Sequence, residues 1–539
     1  MEIVTVRNLS FTYPLRGEKA LTDISFSVES GDYLAVCGGT GSGKSTLLYM
    51  LKKELTPRGD LAGEILFEGK RLAEIGDKDS ACKIGYVMQR PEQQLVTDKV
   101  WHELSFGLEN MNVPSNVIHR KVAEMASYFG IEGWFEMPVD SLSGGQKQLL
   151  NLAAVMVMNP KVLILDEPTA QLDPVAAVDF LETVARLNRD MGITVILVEH
   201  RLEHVLPQCN KLLVLEDGRT VAFGKTRSVI SSLKKNEQVL AGMPAAVRLY
   251  NSFHFTDECP LSTGEGSIWI RKHFSNRDPR PKEKAKRSFA GPALELKDLW
   301  FKYGRKEHDV LRGTALTVYE GEIFCILGGN GSGKSTALSC AAGLLKPYHG
   351  EVRIFGKSIS EYKNMLWGRE LSMLPQDVQT VFLKNTVKEE LEDSGACGGL
   401  SVYDLKPLLD SHPYDLSGGQ QQLLALTKAI ASRPRLLLLD EPTKGVDTYT
   451  KERLIGLLKQ YRDEGMTLVI VTHDAEFAAQ IADRCALFFR GAVTSVDAPE
   501  AFFSENNFYT TAVNRMTRDY FDGCVTLDDV KEVCEKNHD

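Results

Sequence analysis

The sequence predicts an α/β fold written twice, and three observations carry that prediction. A glycine-rich segment, GGTGSGKST at residues 38–46, returns almost unchanged as GGNGSGKST at residues 328–336. Short apolar runs rich in β-branched residues end on polar ones: YLAVC, VLILD and TVILVEH in the first half, FCIL, LLLLD and TLVIVTH in the second. Such runs read as buried parallel strands whose C-terminal ends present chemistry. Finally, 539 residues exceed what one hydrophobic core sustains, so two or more units are expected.

Taken in order, the first unit is expected over residues 1–229, a linker or accessory region over 230–292, the second unit over 293–505 and an accessory tail over 506–539. Two further segments repeat inside the units: LSGGQKQ at Leu142 returns as LSGGQQQ at Leu416, and LILDEPT at Leu163 as LLLDEPT at Leu437. The second copy is the shorter between its glycine-rich segment and its LSGGQ, and the lost length falls largely between Gln376 and Leu416. In the linker, regular patterning gives way to Pro, Gly and charge, although WIRKHF and AAVRLYNSF are too aromatic for plain coil.

Bulk properties exclude several classes. With 43% hydrophobic and 25% charged residues the chain is neither disordered nor fibrous. No apolar run approaches the roughly 18 residues needed to cross a bilayer, and MEIVTVRNLSFTY alternates like a strand rather than forming a secretory signal. A cytoplasmic chain is expected. The formal charge of -9 offers no general attraction for nucleic acid, so no such partner is expected. Ten cysteines without a CxxC pair read as reduced, structural thiols. The basic run at residues 271–287 reads first as a solvated spacer, with anionic headgroups as the alternative contact.

Each repeated segment supports a chemistry. In GxxxxGK[ST] after a strand, backbone N–H groups around Gly38, Gly41 and Gly43, or Gly328, Gly331 and Gly333, wrap phosphates. Lys44 or Lys334 reaches the β- and γ-phosphates, Ser45 or Ser335 ligates Mg²⁺, and Thr46 or Thr336 completes the segment. ATP with Mg²⁺ is the ligand this pattern calls for. Asp166 and Asp440 end apolar strands, where a carboxylate holds the water shell of Mg²⁺, and Glu167 and Glu441 are then placed to polarise an attacking water. An acidic pair could also merely open a helix, but Pro and Thr follow it in both copies.

LSGGQ resembles the signature of the ABC ATPase superfamily. In both copies it opens a helical pattern, placing Ser143, Gly144 and Gly145, or Ser417, Gly418 and Gly419, at a positive helix end; a plain N-cap is the other reading. The resemblance implies P-loop domains with a RecA-like core and antiparallel β and helical subdomains. It further implies that each signature faces the γ-phosphate held by the other unit, so that the two units of the chain pair. Tyr13 and Tyr303 match the aromatic that stacks on adenine. Gln89 and Gln376 match the glutamine that links the γ-phosphate and its metal to a membrane partner. His200 and His473 match the histidine that contacts the γ-phosphate.

Beyond these motifs, MQRPEQQLVTDKVWHELSFGLEN and LPQDVQTVFLKNTVKEEL resemble the segments after the glutamine in the two ATPases of energy-coupling factor transporters. The tail FYTTAVNRMTRDYFDGCVTLDDVKEVC is similar to the accessory region of that family's fused members. The resemblance implies peripheral attachment at the cytoplasmic face of the cell membrane. The partners would be a transmembrane scaffold protein and a small substrate-capturing membrane protein, and the cargo a vitamin or a metal ion. It also implies that Glu92, three residues after Gln89, receives an arginine of the scaffold, whereas Asp377 is the nearest carboxylate in the second copy. The alternative is the ribosome-associated ABC-F type, which expects a long basic helical hairpin between the copies. Pro260, Gly264, Gly266, Pro279 and Pro281 break such helices.

Overall fold

The computed structural model describes residues 1–14, 17–170, 172–199, 202–233, 237–253, 255, 257–274, 280–282, 287–395, 405–507 and 509–537. They form two compact units, residues 1–262 and 263–539, so the 230–292 stretch is shared between them.

The first unit holds two sheets. One is antiparallel, in the order Leu21–Glu29, Glu2–Thr12, Asp60–Phe67, Lys70–Arg71. Its long strand alternates until the pairing slips between Val6 and Leu9, where Asn8 takes a left-handed φ of 49°. The extra residue is a bulge, and it keeps Val4, Val6, Leu9 and Phe11 on the buried face despite their broken period. The other sheet runs Arg219–Lys225, Lys211–Glu216, Tyr33–Cys37, Thr194–Val198, Val162–Asp166, Ile84–Val87 and is parallel except for its first pair. Every residue of its three central strands is buried, as apolar runs covered on both faces require. A helical layer of Val100–Asn110, Ser115–Phe129 and Gly144–Met156 packs beside it.

The second unit repeats this plan. Its antiparallel sheet runs Leu311–Tyr319, Pro292–Phe301, His349–Ile354, Lys357–Ser358, with the same bulge at Asp298. Its six-stranded sheet runs Leu371–Leu374, Leu436–Asp440, Thr467–Val471, Ile323–Leu327, Arg484–Phe489, Ala492–Asp497. The helical layer is thinner, with Val387–Asp393 packed on Gly418–Ala431 among the described residues.

In the sequence between the last strand of the first unit and the first strand of the second, the described residues form short helices: Thr226–Ser232, Glu237–Ala241 and Ala245–Asn251 in the first unit, Thr263–His273 in the second. The last packs through buried Trp269 and Ile270 toward the tail helix Ala512–Thr517, which in turn meets Leu527–Lys536. The described part of the basic run does not stand free: Arg280 pairs with Asp522 at 3.3 Å and Arg287 with Asp463 at 2.9 Å. Exposed pairs of this kind hold a chain in place more than they stabilise it. No helix among the described residues is long and apolar enough to cross a membrane.

Candidate nucleotide sites

At the C-terminal end of Tyr33–Cys37 the chain turns through residues 38–43 into the helix Lys44–Met50. The turn demands glycine at two places. A Cβ on Gly38 would lie 2.1 Å from the Leu215 carbonyl oxygen, and one on Gly43, whose φ is 91°, would lie 2.7 Å from that of Ala20. The second loop has the same constraint, with Gly328 pressed against the Phe488 carbonyl (2.3 Å) and Gly333 against that of Val310 (2.9 Å). Fixed in this way, each loop closes a ring around a lysine ammonium. Lys44 Nζ donates to the carbonyls of Gly38 (2.9 Å) and Gly39 (2.8 Å), and Lys334 Nζ to those of Gly328 and Gly329 (both 2.8 Å). Gly41 and Gly331 also adopt positive φ, 81° and 71°.

The carboxylates arrive from the neighbouring strand ends. Ser45 Oγ donates to Asp166 Oδ1 at 3.1 Å, and Tyr86 donates its hydroxyl to Asp166 Oδ2 at 3.3 Å. Burial, with the Glu167 charge adding, pushes the Asp166 carboxyl up to about 6. Burial pushes Asp440 up to about 6 as well, against the hydrogen bond from Ser335. In the second copy Met373 stands where Tyr86 stands in the first, and Asp440 Oδ1 is buried with no hydrogen-bond partner among the described residues.

Glu167 and Glu441 follow in left-handed backbone, φ 45° and 53°, each held there by an N–H donated to the next strand, to Val198 and Val471. Their side chains are held differently. Gln89 Nε2 donates to Glu167 Oε2 at 2.8 Å, whereas Glu441 Oε2 lies 2.8 Å from His473 Nδ1. Gln376 is exposed, and no hydrogen bond joins it to Glu441 among the described residues. His200 lies outside the described residues.

The tyrosines stand beside the loops. Tyr13 and Tyr303 place their hydroxyls 3.1 Å from Thr46 Oγ1 and Thr336 Oγ1, and Tyr303 is 63% exposed. Ser143 and Ser417 are exposed N-caps of Gly144–Met156 and Gly418–Ala431, each in a reciprocal capping box with the glutamine three residues on. The glycines Gly144, Gly145, Gly418 and Gly419 form the first turn of those helices.

Sequence reasoning missed several members. Buried Gln148 holds the Met88 carbonyl (3.2 Å) and buried Gln422 that of Glu441 (3.2 Å); their recurrence in LSGGQKQ and LSGGQQQ was a signal. Buried Glu199 accepts the N–H and hydroxyl of Thr169 at 3.0 and 2.7 Å, with Thr472 at its place in the second copy, so repetition offered no cue. Glu103 accepts the N–H groups of Val96 and Thr97 (3.0 and 2.8 Å), and Glu390 does the same for Leu383 and Lys384.

The family model described as ABC transporter matches residues 21–170 and 311–444. A putative ABC transporter ATP-binding protein of Bacillus cereus is 41% identical over 98% of this chain and 97% of its own. One of Streptomyces avermitilis is 33% identical over 93% of this chain and 94% of its own. Among solved structures, an archaeal ribosome recycling factor, in complex with a ribosomal stalk protein, aligns with a TM-score of 0.59 at 19% identity, covering 92% of this chain and 91% of that one. That last likeness is one of fold alone.

Proposed function

This chain belongs to the ABC transporter family as a tandem ATP-binding and ATP-hydrolysing protein, and from that premise we propose that it energises an importer of the energy-coupling factor type, for a vitamin or a metal ion. On this reading it sits at the cytoplasmic face of the membrane, bound to a transmembrane scaffold and a small substrate-capturing protein. The observation that carries the proposal is the segment after Gln89. Glu103 ties the amides of Val96 and Thr97 into a fixed loop, and that loop presents the exposed Glu92 and a 64% exposed Val96. A rigid, partly apolar projection with one free carboxylate suits a membrane-protein partner.

The site residues take the following roles. The loops at 38–46 and 328–336 bind the phosphates, and Tyr13 and Tyr303 stack on adenine. Glu167 and Glu441 accept a proton from the water that attacks the γ-phosphorus as the bond to the ADP oxygen breaks. Gln89 orients Glu167 and His473 orients Glu441, and by its sequence match alone His200 is assigned to the γ-phosphate. The donor set fits a magnesium ion, because Asp440 Oδ1 is buried without a partner among the described residues and a serine hydroxyl stands at each aspartate. Ser45, Asp166 and Gln89, or Ser335, Asp440 and Gln376, would hold that ion, which supplies charge neutralisation at the phosphates. Ser143, Gly144 and Gly145, and Ser417, Gly418 and Gly419, complete the opposite sites when the two units pair.

The test is purification of the tagged full chain from membranes in mild detergent. Small membrane proteins recovered with it support the proposal. Recovery of ribosomes in their place would favour the ABC-F reading, against which stand the short helices of residues 226–273 among the described residues.

A further inference from the structure

The two glycine-rich loops are alike in backbone but differ in what stands beside Gly39 and Gly329. Among the described residues a Cβ built on Gly39 meets nothing within 4 Å, whereas one on the matching Gly329 would stand 3.4 Å from the hydroxyl oxygen of Tyr509. This tyrosine comes from the tail, beyond the helix Pro499–Glu505. Its position is set by neighbours on its C-terminal side, of which Thr510 and Thr511 are buried. Thr510 Oγ1 donates to the Phe503 carbonyl (2.5 Å), and the Ala512 N–H donates to Glu476 Oε1 (2.5 Å) on the helix that follows His473. The ring itself is 40% exposed, and its hydroxyl makes no hydrogen bond among the described residues.

The location has a chemical meaning. Gly329 is one of the two residues whose carbonyls hold the Lys334 ammonium, at 2.8 Å. That ammonium is the group which turns to the β- and γ-phosphates in such loops, so a donor standing over Gly329 stands at the β- and γ-phosphate end of the nucleotide. A phenolic O–H there faces developing negative charge, and hydrogen bonds to charged groups are the stronger kind.

We propose that Tyr509 is a nucleotide-contacting residue of the second site alone, its hydroxyl donating to the terminal phosphate of ATP. The tail thereby makes the second site discriminate ATP from ADP more sharply than the first. This rests on the reading that residues 328–336 hold nucleotide, and the experiment separates the two claims.

Equilibrium binding of ATP and of ADP, with magnesium, is measured on the full chain carrying Lys44→Ala and Glu441→Gln, which leaves the second site to bind without turnover. Adding Tyr509→Phe, which keeps the ring and its packing, should weaken ATP by about tenfold or more while leaving ADP unchanged. The same substitution in a chain carrying Lys334→Ala and Glu167→Gln should alter neither nucleotide. Equal losses for ATP and ADP, an unchanged ATP affinity, or an effect on the first site would each overturn the proposal. If Lys44→Ala with Lys334→Ala binds ATP as tightly as the unmodified chain, the loop assignment itself fails, and the Tyr509 proposal with it.

Discussion

Glu167 and Glu441 are ordinary carboxylates placed in an uncommon backbone conformation, at φ 45° and 53°. Such strain costs about 1–3 kcal/mol and persists where the surroundings over-determine it. Here an N–H bond to the adjacent strand and a side-chain partner do so. If these groups take the proton from water, Glu167→Gln with Glu441→Gln should cut phosphate release by about 10²- to 10⁴-fold and leave ATP binding intact. Wild-type turnover in the double variant would remove them from the mechanism. Gly328 supports a second expectation at this scale, because its Cβ would meet a backbone oxygen at 2.3 Å and backbone cannot swing aside. Gly328→Ala should lower the melting temperature, at a cost of about 1–3 kcal/mol, and abolish binding at the second site while sparing the first. Both the acidic pairs and the loop glycines were legible in the sequence, since each stood at a fixed spacing in both copies. Tyr86 and Glu199 were not, because Met373 and Thr472 replace them in the second copy and only packing brings them to the site.

At the scale of elements, buried strands were the most legible, because a strand covered on both faces must be apolar throughout. The bulges at Asn8 and Asp298 were not legible, since they break the alternation by which a strand is recognised. Nor were the helices of the 226–274 stretch. At five to eleven residues they are too short to form alone, and they depend on tertiary burial such as that of Trp269. Of the two readings of LSGGQ, the cap is observed: Ser143 and Ser417 are N-caps, and they are exposed; the signature role is the proposal. The two roles come apart by substitution. Ser143→Ala should cost about 1 kcal/mol of stability through the lost cap. Ser143→Asp keeps a good cap and the melting temperature with it, yet sets a negative charge where a phosphate is expected, so ATP hydrolysis should fall. If hydrolysis by Ser143→Asp matched the unmodified chain, the serine would be a cap and nothing more.

For the whole molecule, pairing of the units should make cross-linking between cysteines introduced beside Ser143 and Lys334 rise with ATP in the Glu167→Gln, Glu441→Gln protein; proximity indifferent to nucleotide would refute the composite sites. On the proposed function, how force reaches the membrane turns on a difference between the copies. Glu92 lies exposed in the turn Pro91–Gln93 and makes no ion pair among the described residues. In the second copy Gln379 occupies the matching place, and the nearest carboxylate, Asp377, accepts the Gln379 N–H at 3.1 Å to cap its own turn. One carboxylate is therefore free to meet an incoming cation and the other is committed to local structure, which makes docking asymmetric on the proposed function. Losing one partner of a buried charge pair costs about 2–5 kcal/mol, enough to release a bound protein. Glu92→Arg should then reduce recovery of the membrane partner and uptake of the cargo. Asp377→Asn, which still accepts the Gln379 N–H, should leave both nearly unchanged. ATP binding by the isolated chain should survive either substitution, because neither side chain touches the loops. A Glu92→Arg protein that assembles and transports normally would place the anchor elsewhere on the surface, with the exposed Val96 and Leu383 as the next residues to truncate.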